Sequence, residues 1–148
     1  MEPIVFLPGE GEVVGSGPTT AVLKATKEAT RGGFSMSEAT IAPRFAGPPP
    51  HFHNELTDTF YVLEGTLTVR VGDQSLQAPA GSFVCAPPGT VHTFSNTTDS
   101  PVRFLNINSP AGWEDYLRDL AEILSGEGPP DPDAWREVMA RYDFQPAE

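Results

Sequence analysis

The chain has 148 residues, 39% of them hydrophobic, and a formal net charge of −11. That length suits one domain able to bury its own apolar surface. The acidic balance excludes nucleic acid, whose phosphates call for Lys and Arg, and no basic amphipathic stretch offers a grip on an anionic membrane.

No run approaches the roughly 20 apolar residues that span a bilayer. The first residues, Met-Glu-Pro-Ile-Val-Phe-Leu-Pro-Gly, lack the basic start and apolar run of a secretory signal, so a cytoplasmic location is expected. Ile4–Leu7 reads as the first strand. Gly9, Gly11, Gly15 and Gly17 follow without the strand-to-helix context of a phosphate loop, and read as a plain loop. With 16 prolines and 14 glycines in the chain, the first 110 residues are cut into pieces too short for helices, which favours an all-β fold. Further strands are expected at Ala21–Ala25, Phe34–Ala42, Thr59–Leu63, Thr66–Val71, Ser75–Ala78, Ser82–Ala86, Val91–Asn96 and Val102–Asn108. Thr66–Val71 alternates, with Leu67, Val69 and Val71 on one face and Thr66, Thr68 and Arg70 on the other, the period of a half-buried strand. Glu64-Gly65 and Gly72-Asp73 are expected as hairpin turns on either side of it. Many short antiparallel strands at this spacing indicate a sandwich or barrel.

Two helices are expected after the strands. The first starts at Ser109-Pro110, carries Trp113, Tyr116, Leu117, Leu120, Ile123 and Leu124 at helical spacing, and stops at Gly126. The second takes Asp131 as N-cap and Pro132 at its first position, with Trp135, Val138, Met139 and Tyr142 on one stripe. Both stripes read as packing surfaces, against the barrel or a partner subunit. Residues 110–148 hold ten Asp and Glu against three Arg, a solvated acidic surface. The chain divides into a barrel over 1–109 and a helical extension over 110–148 packed on the same domain.

All three histidines, His51, His53 and His92, fall within two short segments. Neutral imidazole is the commonest protein ligand for transition metals. His51 and His53 are two apart, so on a strand both point to one face, and a closed barrel can bring His92 to meet them. The lone cysteine, Cys85, excludes an internal disulfide and reads as a buried structural thiol.

These two segments resemble the paired motifs of the cupin superfamily, small jelly-roll β-barrels. The first family pattern is Gly, five residues, His-x-His, three or four residues, Glu, six residues, Gly. Here His51-x-His53, four residues, Asp58, six residues and Gly65 follow it, with Phe45 in place of the opening glycine and Gly47 two residues later. The second pattern is matched at every position by Gly81, Pro87, Gly89, His92 and Asn96. The similarity covers residues 47–96 closely, with the two motifs at 47–65 and 81–96, and the flanking strands fit more loosely. It implies an all-β, cupin-type jelly-roll barrel with a C-terminal helical tail, and one divalent metal bound by His51, His53, Asp58 and His92. Aspartate stands where the family has glutamate, about 1.3 Å shorter in reach. Either the strand lies closer, a water bridges, or three histidines hold the metal alone; Glu55, of the same parity as the histidines, is the alternative carboxylate. Three histidines with a carboxylate suit Fe, Mn, Ni or Co, and three alone also suit Zn.

Phe60, Phe94, Phe45, Met36 and Phe104 are candidates to line a pocket above the metal, with Arg44 and Asn106 placed to orient a polar group. The chain is similar to single-domain cupins of the quercetin 2,3-dioxygenase type. The resemblance implies a dioxygenase acting on a small aromatic or polyphenolic substrate, with Asp58 as catalytic base taking the substrate hydroxyl proton. A non-oxidative isomerase, lyase or polyketide-type cyclase, using the metal as a Lewis acid, is the alternative, as is a small-molecule-binding cupin without turnover. Cupin barrels usually pair through their sheets, so a homodimer is expected.

Overall fold

The structure is a computed structural model and describes residues 2–15, 17–125 and 131–147. In chain order the elements are β1 (Glu12–Val14), β2 (Thr19–Ala25), a single turn α1 (Lys27–Thr30), β3 (Ser35–Ile41), β4 (His51–Phe52), β5 (Thr57–Glu64), β6 (Thr66–Val71), β7 (Gln74–Pro79), β8 (Phe83–Ala86), β9 (His92–Ser95), β10 (Val102–Ser109), α2 (Trp113–Leu124), α3 (Pro132–Ala140) and β11 (Gln145–Pro146). The strands form two antiparallel sheets, ordered β1-β2-β3-β10-β5-β8 and β11-β4-β9-β6-β7. Their inner faces meet in one core, where Ile41, Phe60, Val62 and Phe104 of the first sheet pack against Leu67, Val69 and Ala78 of the second. This is the expected all-β jelly roll with a helical tail.

The alternation of Thr66–Val71 holds, with Leu67 and Val69 buried. Gly72-Asp73 does close a hairpin, between β6 and β7. Glu64-Gly65 does not: β5 lies in the first sheet and β6 in the second, so the chain changes sheets at Gly65. Gly65 turns with φ +80°, and a Cβ there would sit 2.7 Å from the Pro101 carbonyl oxygen. Ile4–Leu7 forms no strand. Pro3 and Pro8 bracket it without N–H donors, and its side chains border a surface groove beside Phe34, Met36 and Leu105.

α2 begins at Trp113, after Ser109 has ended β10 opposite Thr57. Its expected stop at Gly126 lies outside the described residues. α3 opens as anticipated, the Asp131 carboxylate accepting from the Asp133 N–H at 3.0 Å with Pro132 at the first position. Tyr116, Met139 and Phe144 form a second core with Trp113, Leu120 and Trp135, joining the helices to the last strand. A buried carboxylate ties α2 to the first sheet: Glu114 accepts from the Lys27 N–H at 2.7 Å and from the Ser35 hydroxyl. Among the described residues no helix is long and apolar enough to cross a membrane.

Candidate metal centre

Two of the histidines face each other across a ladder. β4 is only two residues long, and its pairing with β9 sets His51 opposite His92. His53 leaves the end of β4, and its carbonyl accepts from the Gly89 N–H of the second segment at 2.7 Å. Gly47 makes the approach possible: at φ +78° it presses on the Phe94 carbonyl, and a Cβ there would collide with the oxygen and lie 2.9 Å from the carbon. Asn96 holds the following turn, donating to the Ser100 carbonyl at 2.7 Å and accepting from the Thr98 N–H at 3.0 Å.

Each histidine uses its Nδ1 on a main-chain carbonyl: His51 on Pro49 at 2.8 Å, His92 on Thr90 at 2.9 Å, and His53 on Asp143. That fixes the tautomer and turns every Nε2 inward, as metal-binding histidines require. Asp58 comes in from β5. Its Oδ2 stands 2.9 Å from His92 Nε2 and 3.5 Å from His53 Nε2. The four donor atoms lie within 4.8 Å of one another, and all four residues are buried. Ligands on a common ion at about 2.1 Å stand about 3 Å apart when adjacent and about 4.2 Å when opposite. The set is therefore of a size to hold a metal, and the shorter aspartate reaches the imidazole tips. Among the described residues His53 Nε2 is buried with no hydrogen-bond partner; such an atom is costly unless something fills its lone pair, and a cation does so.

The other oxygen of Asp58 is clamped. Asn108, its register partner on β10, donates to Oδ1 at 2.8 Å, and Asn106 donates at 2.7 Å. Burial alone would raise the Asp58 pKa, but His53 and His92 outweigh it and hold the carboxyl well below the usual range. Burial pushes His51 down to about 4, reinforced by its histidine neighbours. His92 is pulled down by burial, yet its bond to Asp58 prevails and the net shift is upward.

A cavity of about 90 Å³ opens beside His51 and Asp58. Phe45, Phe60, Phe94, Phe104 and Asn106 line it. Met36 does not; it faces the outer groove, because parity on β3 turns Ser37, not Met36, inward. Arg44 is exposed and paired with Asp99 at 2.7 Å. Glu55 is exposed and outside the donor cluster. Asn106 is in the wall, but both amide hydrogens are engaged, on Asp58 and on the Thr59 carbonyl at 3.1 Å. Cys85 proves exposed rather than buried.

Several site residues escaped the sequence reading. Trp113 and Tyr116 of α2 and Phe144 beyond α3 complete the aromatic wall; the helical stripe of Trp113 and Tyr116 was legible, but not the surface it covers, and Phe144 belongs to neither stripe. Phe144 stacks on His51 with ring centres 3.9 Å apart. The Asp143 carboxylate accepts three consecutive N–H bonds, from Asn54, Glu55 and Leu56 at 2.7, 2.8 and 3.1 Å. Burial opposes its ionisation, but those donors pull its pKa below the ordinary value.

Against known proteins, the cupin domain family matches residues 37–108. The chain is 29% identical over 137 residues to quercetin 2,3-dioxygenase of Bacillus subtilis (strain 168), covering 90% of this chain and 40% of that protein. It thus spans less than half the length of this relative. In fold it is similar to KdgF from Halomonas sp., with a TM-score of 0.66 at 16% identity over 77% of this chain and 99% of the other. It is also similar to the polyketide cyclase RemF from Streptomyces resistomycificus, at 0.60 and 23% identity over 73% and 79%. Both histidine segments lie inside the matched region and the jelly roll is built around them, so residues 37–108 are a cupin domain.

Proposed function

We propose that the chain is a metal-dependent enzyme, holding one divalent transition ion on His51, His53, Asp58 and His92 and acting on a small neutral aromatic or enolic molecule. One observation carries this reading: three inward Nε2 atoms and one carboxylate oxygen converge at the wall of a cavity lined by aromatic rings, with no Lys or Arg among its lining residues. An anionic substrate would meet Asp58 and find no basic side chain in that wall; a planar neutral ring would find faces to stack on. An ion in this donor set would polarise a substrate oxygen and acidify its hydroxyl, and a redox-active one would open a route to dioxygen. Asp58 Oδ2 is placed to take the hydroxyl proton, while its clamped Oδ1 keeps the carboxylate from rotating away. The apolar rings keep water from the reacting centre.

Within that class, similarity to a quercetin 2,3-dioxygenase favours ring-cleaving oxygenation of a polyphenol. Three nitrogens and one oxygen leave two octahedral positions, which suits Fe, Mn, Ni or Co; without Asp58 the histidines alone would suit Zn. Oxygen uptake with quercetin or a catechol, dependent on one of these ions, is the expected result. Product formed under strict anaerobiosis would instead assign a non-oxidative isomerase, lyase or cyclase, for which the same carboxylate and ring-lined cavity would serve an enol. Tight binding without turnover in either condition would leave a binding protein. A homodimer is proposed through the outer face of the first sheet, where Tyr61 and Phe83 are 40% and 67% exposed. There Arg103 pairs with Glu38 at 2.5 Å and with Glu64 at 3.4 Å. Light scattering showing a monomer at micromolar concentration would refute it.

A further inference from the structure

Residues 143–147 return to the histidine loop after two helices and make a run of contacts with it. The Asp143 carbonyl accepts from His53 Nδ1. Its carboxylate sits in a nest of three successive N–H groups, those of Asn54, Glu55 and Leu56. Such a nest, with several donors aimed at one anion, fixes the backbone that supplies it. Phe144 stacks on the His51 ring. β11 pairs with β4, setting Gln145 opposite Phe52 and Pro146 opposite His51, and the Ala147 N–H donates to the Pro50 carbonyl at 2.9 Å. Both histidines of the first segment are therefore held from the C-terminal end of the chain. None of residues 143–147 belongs to the barrel core, whose buried side chains come from β3, β5, β6, β7, β8 and β10. The contacts fall on the β4 edge of the second sheet, the strand that carries His51.

We infer that Asp143 is a positioning residue for the metal centre: its carboxylate fixes the 54–56 turn, its carbonyl aims His53 Nε2, and metal binding is thereby coupled to docking of residues 143–147. The inference rests on the metal reading above. Coupling of this kind is reciprocal, so a bound ion must also hold the C-terminal segment in place.

The test uses the full chain with Asp143→Ala and Asp143→Asn, titrated with Co(II) and followed by its visible absorption. Amide hydrogen exchange at 54–56 and 143–147 is measured with and without the ion. Loss of an outer partner of a metal ligand typically costs about 10- to 100-fold in affinity. Asp143→Ala is expected to weaken Co(II) binding within that range and to alter the cobalt band. Asp143→Asn, which keeps one acceptor oxygen, should fall between it and wild type. Should the alanine variant fail to fold, the asparagine variant carries the comparison. Co(II) should slow exchange at 143–147 in the wild type and much less in Asp143→Ala. Wild-type affinity and spectrum in both variants would overturn the inference while leaving the metal reading intact. A wild type that binds no Co(II) would overturn both.

Discussion

His51 is held neutral beside a carboxylate held ionised, because burial acts on both and only Asp58 has enough donors around it to resist. The metal-free protein should therefore be acid-sensitive through His51. In the unfolded chain this imidazole titrates near 6.5, and in the fold near 4. Between those values the unfolded chain binds a proton that the folded chain refuses, so stability is full above about pH 6.5 and falls as the pH drops towards 4. The loss is about 2 kcal/mol by pH 5. His92 works in the opposite sense: its raised pKa gives stability present below its unfolded value and lost as pH rises through the folded one. Urea melts at pH 7 and pH 5 separate the two. His51→Gln should lose about 2 kcal/mol less than wild type over that interval, and equal losses would refute the assignment. Asp58→Asn keeps the shape and the Asn106 and Asn108 neighbours but removes the anion. Its metal content after dialysis should fall by about 100-fold or more, since a direct ligand counts for at least as much as its outer partners. Wild-type content by elemental analysis would leave a three-histidine site.

Among the elements, the segment around Gly47 sets the distance between the two histidine segments. It lies against β9, with the Asn96 N–H donating to the Phe45 carbonyl at 2.9 Å and the Thr93 hydroxyl to that of Pro48 at 2.6 Å. Gly47→Ala would meet the Phe94 carbonyl and a φ of +78° that disfavours any side chain. The expected cost is about 3 kcal/mol, or roughly 10 °C in melting temperature for a chain of this size; a melt unchanged within 2–3 °C, roughly, would show that β9 yields easily. Local features of this kind were legible in advance. The alternation of β6, the Asp131-Pro132 start of α3 and the spacing of the second histidine segment all depend on neighbours within a few residues. The clamp on Asp58 was half legible: Asn106 was singled out, but only register between β5 and β10 shows that it and Asn108 serve the carboxylate. Asp143 and Phe144 carried no signal, since nothing in their spacing tells that β11 will find β4 some 90 residues upstream. Met36 and Arg44 failed through strand parity and an outward ion pair, both decided by packing beyond their own segment.

At the scale of the whole molecule, the barrel and its tail enclose less space than the resemblance alone would suggest. Drug-sized ligand sites usually run to about 300–1,000 Å³, whereas the cavity here is about 90 Å³. One side is the rigid inner face of the sheets; the other is Trp113, Tyr116, Leu120, Trp135 and Phe144, carried by the tail. A single aromatic ring fits this volume, while a three-ring flavonol requires the tail to shift outward and break the stacking of Trp113 on Tyr116, whose centres are 4.4 Å apart. That rearrangement is a free-energy cost that a catechol-sized ligand avoids. Both tryptophans of the chain line the cavity, so their fluorescence reports occupancy directly. Titration of the metal-loaded protein should rank catechol or a methylated catechol above quercetin, with oxalate and sugar acids weakest for want of a basic side chain in the wall. The expected gap between a one-ring phenol and a small dicarboxylate is at least about tenfold, the equivalent of about 1.4 kcal/mol. If quercetin binds tighter than catechol and also quenches faster than the tail can move by hydrogen exchange, the helices stand open in solution, and the size limit belongs to the closed form alone.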